Sequence, residues 1–111
     1  MEPYVPQKGE FIAVTFDPQS GHEQKGRRPA LVVSNTLFNE RTGLAIVCPL
    51  TTTDRRYPFH VAVTNEPHVT GFVMVEQVKS IDYRARKAKF IGTASEEILE
   101  TVLSILDACI Y

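Results

Sequence analysis

The sequence predicts a mainly β protein with a C-terminal helix, folded as a small, strongly bent antiparallel barrel on which the helix packs. Short stretches rich in β-branched and aromatic residues alternate with turn-forming residues from residue 11 to residue 92. Only the last segment has the period of an amphipathic helix. The 111 residues, 43% of them hydrophobic, suit one compact core, so we expect residues 1–111 to form a single domain.

Six strands are predicted between the turns. The segment Leu37–Glu40, after the second strand, is expected to form a short helical turn. Pro49 is expected to stop the third strand. The predicted strands are Phe11–Phe16, Ala30–Val33, Leu44–Cys48, Phe59–Val63, Phe72–Ile81 with a bend at Glu76, and Lys89–Gly92.

The C-terminal helix is predicted from its cap and its apolar stripe. Thr93 or Ser95 can cap the first turn, and Glu96 and Glu97 suit the positive end of the helix dipole. The stripe, which we expect to be core or a self-association surface, consists of Ile98, Leu99, Val102, Leu103, Leu106, Cys109 and Ile110.

Composition excludes several classes of protein. No apolar run is long enough to span a membrane and no signal-peptide pattern is present, so we expect a cytoplasmic protein. Cys48 and Cys109 lie among apolar residues and are predicted to be reduced core residues. The three histidines lack metal-ligand spacing, so we predict no metal and no cofactor.

Cations are clustered although the formal net charge is only −1. A fold that gathers them on one face would bind a polyanion, whereas mixed surface charge is the ordinary alternative. The clusters are Lys25, Arg27 and Arg28; Arg55 and Arg56; and Lys79, Arg84, Arg86, Lys87 and Lys89.

The connection between the first two predicted strands, Asp17–Pro29, is too long for a simple hairpin turn. It carries Glu23, Gln24 and Arg28 between stiffening prolines. A bent barrel could bring this loop to the corner Thr51–Thr53 and to Glu76–Gln77 at one of its ends.

These residue types could cleave RNA without a metal. The 2′-hydroxyl would attack its own phosphate, which requires alignment, proton transfer and stabilisation of extra negative charge. A guanidinium at Arg28 can bond two phosphate oxygens, a carboxylate at Glu23 can act as base, and a hydroxyl at Thr51 can bond the phosphate or the nucleophile. Phe16 and Tyr57 could stack on bases.

Each residue also has a structural alternative. Arg28 could pair with Glu23 or Asp17 as a loop clamp, the threonines could bond backbone groups, and Phe16 could be core. His22 could be catalytic or a bystander. The residues alone favour a nucleic-acid site only slightly over a generic binding domain.

Several segments, in order along nearly the whole chain, form a pattern that is more specific than any one motif. They are Tyr4-Val5-Pro6 with Gly9-Glu10-Phe11-Ile12; Phe16-Asp17-Pro18 with Gly21, Glu23-Gln24 and Arg28–Ser34; Pro49-Leu50-Thr51-Thr52; Tyr57-Pro58-Phe59; and Glu76–Asp82. In these segments the sequence resembles the MazF/PemK family of toxin endoribonucleases.

The resemblance implies an SH3-like barrel, a homodimer and a toxin of a type II toxin–antitoxin system. It implies sequence-specific, ribosome-independent, metal-free cleavage of single-stranded mRNA to 2′,3′-cyclic phosphate and 5′-hydroxyl ends, which would inhibit translation and growth. It also implies a cognate antitoxin with an acidic, disordered C-terminal tail.

By position, the resemblance assigns the catalytic roles to Arg28, Thr51 and Glu23. The predicted RNA-binding residues are Phe16, Gln24, Lys25, Arg27, Thr52, Arg55, Arg56, Tyr57, Gln77, Lys79, Arg84 and Arg86. Two alternatives stay open: a toxin of the same fold that poisons DNA gyrase, and a non-catalytic module that binds RNA or the antitoxin.

Overall fold

The computed structural model describes residues 3–15 and 27–111. Within these ranges the predicted class is confirmed: antiparallel strands dominate and a helix closes the chain. The strands are β1 (Glu10–Thr15), β2 (Arg27–Val32), β3 (Leu44–Thr51), β4 (His60–Val63), β5 (Gly71–Met74), β6 (Lys79–Asp82) and β7 (Lys89–Thr93). The helices are α1 (Thr36–Thr42) and α2 (Glu96–Ile110).

Strand β3 is the element shared by both halves of the bent sheet. Along one edge it pairs with β2, which continues to β1 and β7. Along the other edge its first half pairs with β6 and its last two residues pair with β5, which continues to β4. All of these pairings are antiparallel. Near its end β3 pairs with β2 along one edge and with β5 along the other, so this end lies where the two halves of the sheet meet.

Two apolar cores lie on opposite faces of β1, β2 and β3, because alternate residues of a strand point to opposite faces. The first core, which α2 covers through Ile98 and Val102, includes Phe11, Leu31 and Cys48. The second core consists of Ile12, Val14, Ala30, Val32, Ala45, Val47, Ile81 and Tyr83.

The buried residue Asn39 connects α1 and the N-terminal segment before β1 to the second core. Asn39 is fully buried and donates from Nδ2 to the carbonyl of Pro6 (2.8 Å). Its Oδ1 accepts from the Ser34 hydroxyl (2.5 Å), and its carbonyl accepts from the Tyr83 hydroxyl (2.8 Å). Burying a polar group without a hydrogen-bond partner costs folding free energy. These hydrogen bonds therefore hold α1 and the N-terminal residues in place against the second core.

Two boundary predictions for the early strands were wrong. Strand β3 runs through Pro49 to Thr51 instead of stopping at the proline. Pro49 lies where the partner of β3 on one edge changes from β6, which ends its pairing at Val47, to β5, which begins at Leu50; a missing N–H is tolerated there. The predicted loop also extended too far, because Arg27–Pro29 already belong to β2.

The predicted fifth strand is two strands. A 3-10 turn at Val75–Gln77 separates β5 from β6, so the bend expected at Glu76 is confirmed but the continuous strand is not. Phe59 precedes β4 by one residue, and α1 is longer than the predicted turn, with Asn35 as its cap.

Helix α2 begins as predicted, since the Ser95 hydroxyl accepts from the Ile98 N–H (3.2 Å). The apolar stripe does not stay buried to its end: Cys109 is exposed and Ile110 is 63% exposed. The prediction that both cysteines are core residues therefore holds for Cys48 alone. Neither helix within residues 3–15 and 27–111 combines the length and apolar character needed to cross a membrane.

Candidate active site

Strand alternation places Arg28 and Thr51 on the same face of the sheet. Ala30 pairs with Pro49, and Arg28 and Thr51 each lie two residues beyond that pair in their own strands, so both share its face. Residues directly opposite in an antiparallel pair point to the same face. On the other side of β2, Arg28 pairs with the fully buried Val14, a member of the second core. The two polar side chains therefore sit at the rim of the second core.

Both side chains line one open groove of about 360 Å³. Arg28 is exposed and Thr51 is half-buried, so a ligand in the groove could contact both. The complete lining is Arg28, Pro29, Leu50, Thr51, Thr52, Thr53, Arg55 and Thr70. Two guanidinium groups and four hydroxyls thus face a single space, and among the described residues no carboxylate lines it.

The corner after β3 orients the Thr51 hydroxyl. Its Oγ1 accepts a hydrogen bond from the backbone N–H of Thr53 (3.2 Å), which leaves the hydroxyl proton free to be donated to a ligand. In the next residue, the Asp54 carboxylate accepts from the N–H of Arg56 (3.0 Å), and Arg56 adopts a positive φ of 55°. This compact turn brings Arg55 to the same groove as Arg28.

The chemistry of this lining favours an anion. A guanidinium can form two parallel hydrogen bonds to a phosphate, and hydroxyls can bond the remaining oxygens. Within the described ranges, no three His, Cys, Asp or Glu side chains are grouped so that they could hold a metal ion.

Comparison with known proteins decides the family. Residues 7–110 match the family model described as "PemK-like, MazF-like toxin of type II toxin-antitoxin system". The chain belongs to this family.

Individual members are similar over nearly their full lengths. The endoribonuclease toxin MazF of Escherichia coli (strain K12) is 40% identical over 107 residues, which cover 96% of each chain. The endoribonuclease toxin ChpB of the same organism is 42% identical over 112 residues, covering 94% of this chain and 93% of the relative.

Solved structures agree. A crystal structure of MazF from Deinococcus radiodurans superimposes with a TM-score of 0.87 at 39% identity and covers 97% of this chain and 98% of that one. A MazE–MazF crystal structure from the same organism gives a TM-score of 0.86 at 33% identity, with 97% of each chain covered. The MazF-like fold expected from the sequence is therefore confirmed.

The predicted site residues of this MazF-like chain fall into three groups. The structure brings Arg28, Thr51, Thr52 and Arg55 together in the groove. Phe16, Gln24 and Lys25, the predicted base Glu23 and the candidate His22 lie outside the described residues. The groove lining does not include the third group, which consists of Arg27, Arg56, Tyr57, Gln77, Lys79, Arg84 and Arg86.

Two arginines of the third group bond backbone carbonyls. Arg27 donates from Nη2 to the carbonyls of Ala13 (2.9 Å) and Lys87 (2.5 Å). Arg86 donates from Nη1 to the carbonyl of Thr15 (2.9 Å). These bonds fasten the β6–β7 connection to β1, so both side chains have a structural task whatever else they contact.

Thr53 and Thr70 line the groove but were not among the predicted site residues. Thr53 belongs to the corner Thr51–Thr53 that was expected near the site, but no binding or catalytic role was predicted for it. Thr70 lies in the connection between β4 and β5, immediately before Gly71, the first residue of β5. In the sequence it looks like an ordinary loop residue. Only the pairing of β5 with the end of β3 brings it to the groove.

A buried imidazole, that of His60, lies outside the groove lining. His60 Nε2 is 2.9 Å from Glu76 Oε2, with the two side chains 3% and 29% exposed. The Nδ1 atom of His60 is buried and has no hydrogen-bond partner among the described residues. The Tyr57 ring packs on the imidazole with ring centroids 5.1 Å apart, which holds this exposed aromatic in place.

Burial makes Cys48 an unsuitable nucleophile. Loss of solvent, with a smaller effect of the nearby Glu76 charge, raises the pKa of its thiol to about 12. The thiol is therefore neutral at physiological pH, and only the thiolate is strongly nucleophilic.

Proposed function

We propose that this chain is the endoribonuclease toxin of a type II toxin–antitoxin system and that it cleaves single-stranded RNA without a metal ion. The observation that carries the proposal is that Arg28 and Thr51 line the same groove, together with Arg55 and three further threonines. The relatives' names supply the class of reaction: MazF and ChpB of Escherichia coli are named endoribonuclease toxins. Residues 1–111 form its single domain, and the toxin acts in the cytoplasm on mRNA, inhibiting translation and growth.

The reaction is an internal transfer of the phosphodiester. The 2′-hydroxyl loses its proton to a base as its oxygen attacks phosphorus, and the bond to the 5′-oxygen breaks as that oxygen takes a proton from water. The protonated base then returns its proton to the solvent, so the reaction is neutral overall. The products are a 2′,3′-cyclic phosphate and a 5′-hydroxyl. Glu23 is the proposed base, since a carboxylate can accept the proton at neutral pH.

Arg28 is proposed to stabilise the charge that develops on the phosphate. A guanidinium carries a delocalised positive charge and can form two parallel hydrogen bonds to phosphate oxygens, so Arg28 is proposed to act as a fixed cation rather than as a proton donor. Thr51 donates its hydroxyl hydrogen to a non-bridging oxygen or to the nucleophile, while the Thr53 N–H holds Oγ1 in place. Arg55 and Thr52 bind the neighbouring backbone of the RNA.

The same groove is proposed to receive the antitoxin. A MazF from Deinococcus radiodurans is known in complex with MazE. An acidic, disordered tail would compete with RNA for Arg28 and Arg55, because one cationic groove can bind either polyanion. We also propose a homodimer, for which the exposed apolar end of α2 at Ile110 and Tyr111 offers a contact surface. Light scattering should then report twice the chain mass of 12.5 kDa.

Cleavage of a long single-stranded RNA in EDTA tests the proposal. We expect multiple turnovers, fragments that polynucleotide kinase labels directly at their 5′-hydroxyls, and 3′ ends that require opening of a cyclic phosphate. Intact RNA at stoichiometric protein would contradict the nuclease function. RNA binding without cleavage would indicate the non-catalytic module, and loss of supercoiling by DNA gyrase would indicate the gyrase poison; the relatives' names favour neither.

A further inference from the structure

Gly71, the first residue of β5, touches the backbone of the groove corner from the side opposite to β2. Its φ is +124°, a backbone conformation that L side chains rarely adopt. A Cβ built on it would overlap the Thr51 carbonyl oxygen and would lie 3.2 Å from the Thr51 carbonyl carbon and 3.6 Å from the Thr52 Cα. The obstacle is backbone, which cannot turn away as a flexible side chain can.

The contact is specific to the end of β3. Strand β5 pairs with β3 only through Leu50↔Val73 and Thr51↔Phe72, and Gly71 is the next residue beyond that short ladder. Thr70, immediately before Gly71, lines the groove. A side chain at position 71 would therefore push directly on the residue that carries the proposed catalytic hydroxyl.

We infer that Gly71 is a positioning residue for Thr51: the missing side chain lets β5 press against the Thr51 carbonyl and so holds the Thr51 hydroxyl in the groove that Arg28 also lines. This inference rests on the proposed function, because Thr51 must contact the reacting phosphate. A displacement of about 1 Å is enough to cost about 100-fold in rate at a site that depends on alignment. Gly71 itself does not line the groove.

Gly71→Ala is the test variant, and two other glycines provide matched controls. Gly43 has a φ of +74° and nothing within 4 Å of a built Cβ, so Gly43→Ala adds backbone strain without pressing on the groove. Gly9 has a φ of +92°, and its built Cβ would meet only the end of the Leu99 side chain at 3.2 Å. All variants are assayed as full chains, below their own melting temperatures.

We expect Gly71→Ala to lower kcat for RNA cleavage about 100-fold with KM little changed, and the two controls to keep parental kcat. In a Thr51→Val background, which lacks the hydroxyl to be positioned, Gly71→Ala should cost less than about threefold, because residues that act as a unit are not additive. A general loss of structure would reduce activity equally in both backgrounds.

Several outcomes would overturn the inference. They are unchanged kcat in Gly71→Ala, an equal loss in the Thr51→Val background, a loss confined to KM, and a Gly71→Ala chain that does not fold, since Gly71 would then serve the whole sheet. These results leave the proposed function intact when the parent cleaves RNA and Thr51→Val is slow. A parent that leaves RNA whole, or a fully active Thr51→Val, would instead overturn the site together with the inference.

Discussion

Arg27 and Arg28 are adjacent in β2, yet they belong to two different regions of the molecule. Arg28 faces the groove with Thr51 and Arg55. Arg27 donates to the carbonyls of Ala13 and Lys87 and so fastens the β6–β7 connection to β1. Successive residues of a strand point to opposite faces, and here that alternation separates a guanidinium available to a ligand from one engaged by the protein.

The comparison shows that a cluster of cations in a sequence is not one functional unit. Arg86 donates to the Thr15 carbonyl, so this guanidinium of the basic run after β6 also holds strands together. The groove instead gains its second guanidinium from Arg55, in the turn after β3. Position in the sheet, rather than local charge density, indicates which cations can meet a phosphate.

The largest expected effect comes from Arg28→Met, which removes the charge but keeps an unbranched stem. We expect kcat/KM for RNA cleavage to fall about 100- to 1,000-fold, as for loss of one group that stabilises transition-state charge. The free energy of unfolding should stay within about 0.5 kcal/mol of the parent, because the side chain is exposed. Denaturant titration and steady-state cleavage check the two expectations, and an active variant would contradict the groove assignment.

The same substitution at the neighbouring position should have the reverse outcome. Arg27→Met removes two hydrogen bonds to backbone carbonyls, so the free energy of unfolding should fall by about 1–2 kcal/mol after allowance for solvent exposure. Cleavage by the folded protein should change by less than about threefold, because the charge does not line the groove. A large loss of activity with unchanged stability would show that Arg27 contacts RNA, as the sequence analysis predicted.

The smallest effect is expected at the edge of the groove. Arg55→Gln should raise KM by about two- to fivefold, as for one exposed ionic contact, with kcat nearly unchanged. The dependence of log affinity on log salt should become shallower by about 0.7, the value for one phosphate contact on a single strand. Arg84→Gln, exposed and outside the groove lining, is the control. An equal effect at Arg84 would extend the RNA path beyond the groove.

The sequence was sufficient for the class of fold and for α2, because periodicity and capping are local properties. It also singled out Arg28 and Thr51, which line one groove in the structure, while their catalytic roles stay predictions. What the sequence lacked was the continuation of β3 through Pro49. The proline indicated the end of a strand, whereas the change of pairing partner from β6 to β5 that accommodates it is a tertiary feature. Arg27–Pro29 were assigned to a loop, although they belong to β2. Without the strand, the sequence could not show that Arg27 and Arg28 point to opposite faces of the sheet. The positions of Thr70 and Gly71 beside the groove depend on the pairing of β5 with the end of β3, which no local sequence pattern predicts.

The most direct test of the account is a double-mutant cycle between Arg28→Met and Thr51→Val, read as kcat/KM for cleavage of one short RNA. If both side chains act on one phosphate, the double variant should be nearly as active as Arg28→Met alone, because groups that act as a unit are not additive. Losses that multiply independently would mean that Arg28 and Thr51 serve separate steps or sites, and would contradict the account.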